Sequence, residues 1–173
     1  MKSLIAFILS ATVACGGQRT PTQPPPTMPS AEERLKENRD AVRLEEHDID
    51  LFEQRMGLKL HRSDRGVRFL MLRDQEGEHA KPQQWAKVNY VVELLNGDTA
   101  YSTALGEPES FLVEMDQVES GLHEAIQWMS PGDSALVVIP SYRAHGLIGD
   151  QDRIPMRSSV VYHIGLVAVS VRP

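Results

Sequence analysis

From residue 30 onward the spacing of apolar positions changes once, from a helical to a strand-like period. Leu35, Val42, Ile49, Phe52 and Met56 recur at intervals of seven, seven, three and four, which puts them on one stripe of an α-helix. Ser30-Ala31-Glu32-Glu33 ahead of them is a capping-box signature, and Gly57 behind them is a helix-ending glycine. The stripe is thin and the rest of the segment is charged. The pattern therefore predicts a helix over 31–57 that meets its surroundings by one edge, with Glu45-Glu46 and Asp48-Asp50 as solvated surface charge. Residues 58–173 are expected to fold without it.

Beyond residue 58 the alternation is that of strands. Val67, Phe69 and Met71 form one set, and Val88, Tyr90, Val92 and Leu94 a clearer one that runs into an Asn96-Gly97 hairpin turn. A short strand is expected at 111–113, and an amphipathic helix at 121–129 is stopped by Pro131-Gly132. Residues 135–139 are a continuous buried run, a polar loop with Gly146 and Gly149 follows, and the last strand starts at Val160. The class is α+β: a five- to six-stranded antiparallel sheet with one short helix between the third and fourth strands, preceded by the N-terminal helix.

The first thirty residues are of another kind. Lys2, the apolar run 4–9 and the small residues 10–14 form a signal peptide over 1–14, ending at Cys15, the only cysteine in the chain. At 1.5 Å per residue its apolar part crosses about half of a ~30 Å hydrocarbon core, too little for a membrane span. The ending resembles a bacterial lipobox, in which the cysteine is lipidated and becomes the mature N-terminus, although Thr12 stands where that pattern has Leu. Residues 15–30 hold five of the eleven prolines and read as an extended tether. The expected location is the cell envelope, with a lipid anchor in the membrane. Gly16 is not the Asp that retains lipoproteins at the inner membrane, so the outer membrane, facing the periplasm, is the expected site.

Composition narrows the chemistry. The chain has 173 residues, a net charge of −6 and no Lys/Arg-rich run, so nucleic acid is not an expected partner. One cysteine rules out an internal disulfide and a cysteine-based zinc site. The six histidines show no metal-binding spacing, and no nucleophile elbow, Walker loop or dinucleotide fingerprint occurs. No cofactor and no metal are called for.

Four motifs in order then carry a resemblance over about residues 66–171. Gly121-Leu122-His123-Glu124-Ala125 with Met129-Ser130-Pro131-Gly132 resembles an FKBP segment, and Ile139-Pro140 through Ala144-His145-Gly146 resembles that family's "IPxxLAYG". Ile154-Pro155 with the strand from Val160 is similar to its C-terminal motif, and Val88-Asn89-Tyr90, Gly97 and Ser102-Thr103 to its first hairpin. The leader, the acidic helix and Tyr101-Ser102 further resemble the FKBP-type lipoproteins associated with gliding motility in Bacteroidetes.

The resemblance implies a sheet wrapped around the short helix and a peptidyl-prolyl cis–trans isomerase acting on proline-containing unfolded or extended polypeptides. It implies pocket walls at Tyr90, Phe111, Val118, Leu122, Ile154 and Tyr162, and a backbone N–H donor at Glu119. Tyr101 stands where the family has Asp, Ala100 where it has Phe, and His145 where it has a hydrogen-bonding Tyr. An apolar residue before the proline is the expected preference. Two alternatives stay open: a non-catalytic peptide-binding or chaperone module, and a structural subunit of an envelope complex such as a gliding or secretion assembly.

Overall fold

Ser30 begins the first element as the sequence requires. Its hydroxyl accepts from the Glu33 N–H at 3.2 Å while the Glu33 carboxylate accepts from the Ser30 N–H at 2.7 Å, a complete capping box. The helix, α1 (Ala31–Met56), ends on Gly57 at φ 64°. The computed structural model describes residues 28–172. The signal peptide 1–14, Cys15 and the tether up to residue 27 lie outside the described residues.

Seven strands follow: β1 (His61–Arg62), β2 (Arg68–Arg73), β3 (Trp85–Leu94), β4 (Thr99–Ser102), β5 (Glu109–Leu112), β6 (Ser134–Ile139) and β7 (Val160–Ser170). The short helix α2 (Ser120–Ile126) lies between β5 and β6. Strand order is β1-β2-β6-β7-β3-β4, every pairing is antiparallel, and β5 shares the outer edge of β3 with β4. The strand not expected is the two-residue β1, whose His61-Arg62 carries no alternation to announce it.

Both faces of the central strands are buried, which is why β6 reads as an unbroken apolar run. On one face Ala135, Val137 and Ile139 of β6 and Val160, Tyr162, Ile164 and Leu166 of β7 join Leu122, Ala125 and Ile126 of α2 in the main core. A Cβ on Gly121 would stand 2.3 Å from the Ile139 side chain, so only glycine lets α2 sit this close to β6. On the other face Leu136, Val138 and Val161 pack with Ile49 and Phe52 of α1.

This second core corrects the reading of α1 as an appendage bearing solvated charge. Only the second half of its stripe is covered: Ile49 and Phe52 are buried, while Leu35, Val42 and Met56 stay exposed. Its acidic residues complete the packed side. Arg68 of β2, 4% exposed, donates to Asp50 and Glu53 at 2.6 Å and to Glu46 at 2.8 Å. Glu45 accepts from the Ser141 N–H, from the Ser141 hydroxyl at 2.9 Å and from the Ser159 hydroxyl at 2.6 Å. Residues 45, 46, 49, 50 and 53 share one helical face. Carboxylates hide that periodicity from a search for apolar spacing.

Each buried apolar side chain of α1 contributes about 1.5–3 kcal/mol, and removing one partner of a buried ion pair costs about 3–5 kcal/mol. Urea unfolding should therefore show Ile49→Ala destabilised by about 2–5 kcal/mol and Arg68→Ala by about 3–5 kcal/mol, with Leu35→Ala within about 0.5 kcal/mol of the parent. Parent-like stability in both of the first two would restore α1 to an appendage.

Candidate active site

The sheet, α2 and the loop between β6 and β7 bring the expected pocket residues together. Phe111 of β5, Leu122 of α2, Ile154 of the loop and Tyr162 of β7 are buried in the main core, and Tyr90, Tyr101 and Val118 pack partly buried against it. The Tyr90 and Tyr162 rings meet edge-on at 5.9 Å between centroids. Glu119 and His145 join the same site through Tyr162. One Glu119 oxygen, Oε1, accepts from the Tyr162 hydroxyl at 2.7 Å and lies 2.8 Å from His145 Nε2.

The loop is built to hold its residues in place. Glu45 gathers its two ends, Ser141 and Ser159. Arg143 donates to the Ser120 carbonyl at 3.2 Å and to Glu124 at 2.8 Å, and so ties the loop to α2. Further along, Asp150 Oδ1 accepts from the N–H groups of Asp152, Arg153 and Ile154 at 2.8–3.0 Å. This closes a carboxylate-centred turn that presents Ile154 to the core. Gly149 before it has φ 67°, and a Cβ there would lie 2.1 Å from the Ile154 carbonyl oxygen. Tyr101 donates its hydroxyl to Asp150, and Arg153 stacks 5.3 Å from the Tyr101 ring while donating to the Ala100 carbonyl at 2.9 Å. Tyr101 thus fastens the loop to β4.

Three residues that sequence reasoning did not assign belong to the site. Glu109 accepts from the Tyr90 hydroxyl at 2.8 Å, and Asp150 organises the loop. Buried His123 sits 5.6 Å edge-on to Phe111. Its Nδ1 accepts from the Glu114 N–H at 3.0 Å and its Nε2 is 3.1 Å from the Asp116 carbonyl. Those partners require a neutral ring protonated on Nε2, a supporting role behind Phe111. Asp150 has a local signal, an Asp opening a polar turn after glycine. Glu109 and His123 have none.

Electrostatics sort the hydroxyls and carboxylates. Burial, then its bond to Glu119, raises the Tyr162 phenol well above its ordinary value. Burial and the Glu109 bond push Tyr90 up to about 12, and the Asp150 bond does the same for Tyr101. Burial alone would raise Glu119, yet the bonds from His145 and Tyr162 outweigh it and leave the carboxyl below its ordinary value. Glu119 in turn raises the His145 imidazole, against a smaller opposing effect of burial. All three phenols are neutral donors to a carboxylate, and Glu119 and His145 form an ion pair whenever the imidazole is protonated.

Residues 76–167, more than half of the chain, match the family described as FKBP-type peptidyl-prolyl cis-trans isomerase. The chain belongs to that family. It is 29% identical over 85 residues to FK506-binding protein 2 of Dictyostelium discoideum, covering 49% of this chain and 64% of that protein. Against FK506-binding protein 4 of Rhizopus delemar the identity is 29% over 94 residues, covering 54% and 25%. The chain thus spans less than two thirds of the length of either relative.

Among solved structures, a peptidyl-prolyl cis-trans isomerase from Pseudomonas syringae is similar at TM-score 0.66 and 27% identity, over 76% of this chain and 95% of that one. FkpA from Escherichia coli is similar at TM-score 0.66 and 27% identity, over 82% and 66%. Within the FKBP fold, the departures at 101 and 145 are engaged, not vacant. Tyr101 anchors the loop through Asp150, and His145 is committed to Glu119.

The ion pair has a defined pH window. His145 is raised, so its contribution is complete below the ordinary histidine value of 6.5 and is lost as pH rises through its folded value. Glu119 is lowered, so its contribution is complete above 4.5 and is lost as pH falls through its folded value. Between those limits the pair acts in full. In urea unfolding His145→Gln should cost about 1–2 kcal/mol near the middle of that window, and clearly less well above the raised histidine value. A cost independent of pH would show that the pair is not ionised.

Proposed function

We propose that this chain is a peptidyl-prolyl cis–trans isomerase of the cell envelope, acting on X-Pro bonds of unfolded or extended polypeptides. The observation that carries the reading is the convergence of Tyr90, Phe111, Leu122, Ile154 and Tyr162 on one apolar site within an FKBP fold. Amide resonance gives the X-Pro bond a barrier of about 18–20 kcal/mol. The planar amide places negative charge on its oxygen, whereas the twisted transition state is less polar. An apolar wall that removes water from the carbonyl therefore disfavours the planar form. Lowering the barrier by about 4 kcal/mol accelerates turning by roughly a thousandfold. No nucleophile, metal or cofactor enters this chemistry.

Activity below that of members with Phe-Asp and Tyr at the corresponding positions follows from Ala100, which offers no aromatic wall, and from His145, whose Nε2 is held by Glu119. Leu147, Ile148 and Met156 on the loop are 60%, 67% and 69% exposed, and this favours a second reading in which the domain chiefly holds unfolded polypeptide. The apolar leader and lone Cys15 support lipid anchoring, with the domain carried off the outer membrane into the periplasm by the proline-rich tether. The same order of leader, acidic helix and domain supports kinship with the gliding-motility lipoproteins.

Two experiments test the reading. A prolyl-isomerase assay on a tetrapeptide series should show acceleration above background, and Tyr162→Ala should cut it about tenfold or more while the protein still unfolds cooperatively. No acceleration of any peptide, together with binding of unfolded polypeptide, would establish the holding function instead. Metabolic labelling with a fatty-acid analogue should mark the parent and not Cys15→Ser. An unlabelled parent would remove the lipid anchor.

A further inference from the structure

The Glu119 side chain is 11% exposed. Its Oε1 accepts from two side chains on two different elements, Tyr162 of β7 and His145 of the loop, and its own backbone N–H also acts on the carboxyl. Phe111, Leu122, Ile154 and Tyr162 of the site are each 6% exposed or less. The Tyr162 hydroxyl and the His145 Nε2 thus already have an acceptor.

We propose that Glu119 is the specificity-determining residue of this pocket: its carboxylate occupies the donors of Tyr162 and His145, so a prolyl segment whose carbonyl uses those donors binds only by displacing it. The inference rests on the prolyl-isomerase reading of the site. A bond to an ionised acceptor is roughly twice as strong as one between neutral groups, so a neutral carbonyl displaces the carboxylate at a cost. The displaced charge stays beside the bound proline and has lost His145 as its partner. A basic side chain next to the proline replaces that partner, whereas an acidic one adds a like charge to Glu119.

The surrounding charges act in the same direction. Glu109 is bonded to the Tyr90 hydroxyl and Asp150 to the Tyr101 hydroxyl, with Asp152 3.5 Å from the latter. Arg153, over the Tyr101 ring, and His145 are the cations facing them. The substrate class is thus prolyl segments with Lys or Arg beside the proline, which replaces the apolar preference expected from the walls alone.

The test is binding of three tetrapeptides, Ala-Lys-Pro-Phe, Ala-Leu-Pro-Phe and Ala-Glu-Pro-Phe, to the parent protein, Glu119→Ala and Glu119→Gln, followed by NMR titration. The parent should favour the lysyl over the glutamyl peptide by about fivefold or more. Glu119→Ala should bind the leucyl peptide about fivefold tighter than the parent, a gain that a merely structural residue does not give. Glu119→Gln keeps the shape and the acceptor oxygen and loses the charge. It should bring the lysyl-to-glutamyl ratio to within about twofold of one and gain less for the leucyl peptide. Parent-like ratios and affinities in both variants would overturn the inference and leave the proline pocket standing. If Glu119→Ala is unfolded, the Glu119→Gln ratio alone decides. Absence of binding by the parent and both variants would overturn this inference and the prolyl-isomerase reading together.

Discussion

Glu45 links the N-terminal helix to the pocket. Its carboxylate takes hydrogen bonds from Ser141 and Ser159, the two ends of the segment that carries His145, Asp150 and Ile154. A loop of this length closes at an entropic cost that depends weakly on its length, and a fixed acceptor at its base holds the ends together. Glu45 is itself fixed because the same helical face seats Ile49 and Phe52 on the sheet and surrounds Arg68 with three carboxylates. Burial of α1, closure of the loop and the position of the pocket's far wall are thus one chain of contacts.

Within that frame the pocket combines apolar walls with carboxylates. Tyr90, Tyr101 and Tyr162 each give their hydroxyl to an acidic residue, Glu109, Asp150 and Glu119 respectively. A buried phenol needs a partner, and a carboxylate is a strong one. Asp150 and Glu109 act from the pocket's edge, whereas Glu119 acts from inside. The Tyr162 hydroxyl has its partner because Glu119 is there to receive it.

Most of the fold was legible, because alternation and turn chemistry are local. The capping box at Ser30, the hairpin at Asn96-Gly97, the β6 run and the glycine of α2 each announce their element directly. The gathering of Tyr90, Phe111, Leu122, Ile154 and Tyr162 was legible through motif order. What stayed hidden depends on contacts distant in sequence. The unbroken apolar run of β6 implied a cover on each face, but nothing local named α1 as the second one. The carboxylates of α1 look alike whether they face water or Arg68. Likewise the side-chain contacts of Glu119 need Tyr162 and His145 from 43 and 26 residues away.

The dependence of the pocket on α1 is measured most directly by amide hydrogen exchange in Glu45→Ala. Losing the acceptor at the base of the loop should speed exchange of the Asp152, Arg153 and Ile154 amides that Asp150 holds, while amides of β6 and β7 keep their protection. Unchanged protection across the loop would contradict the account, for it would mean that the pocket's far wall holds its place without the helix.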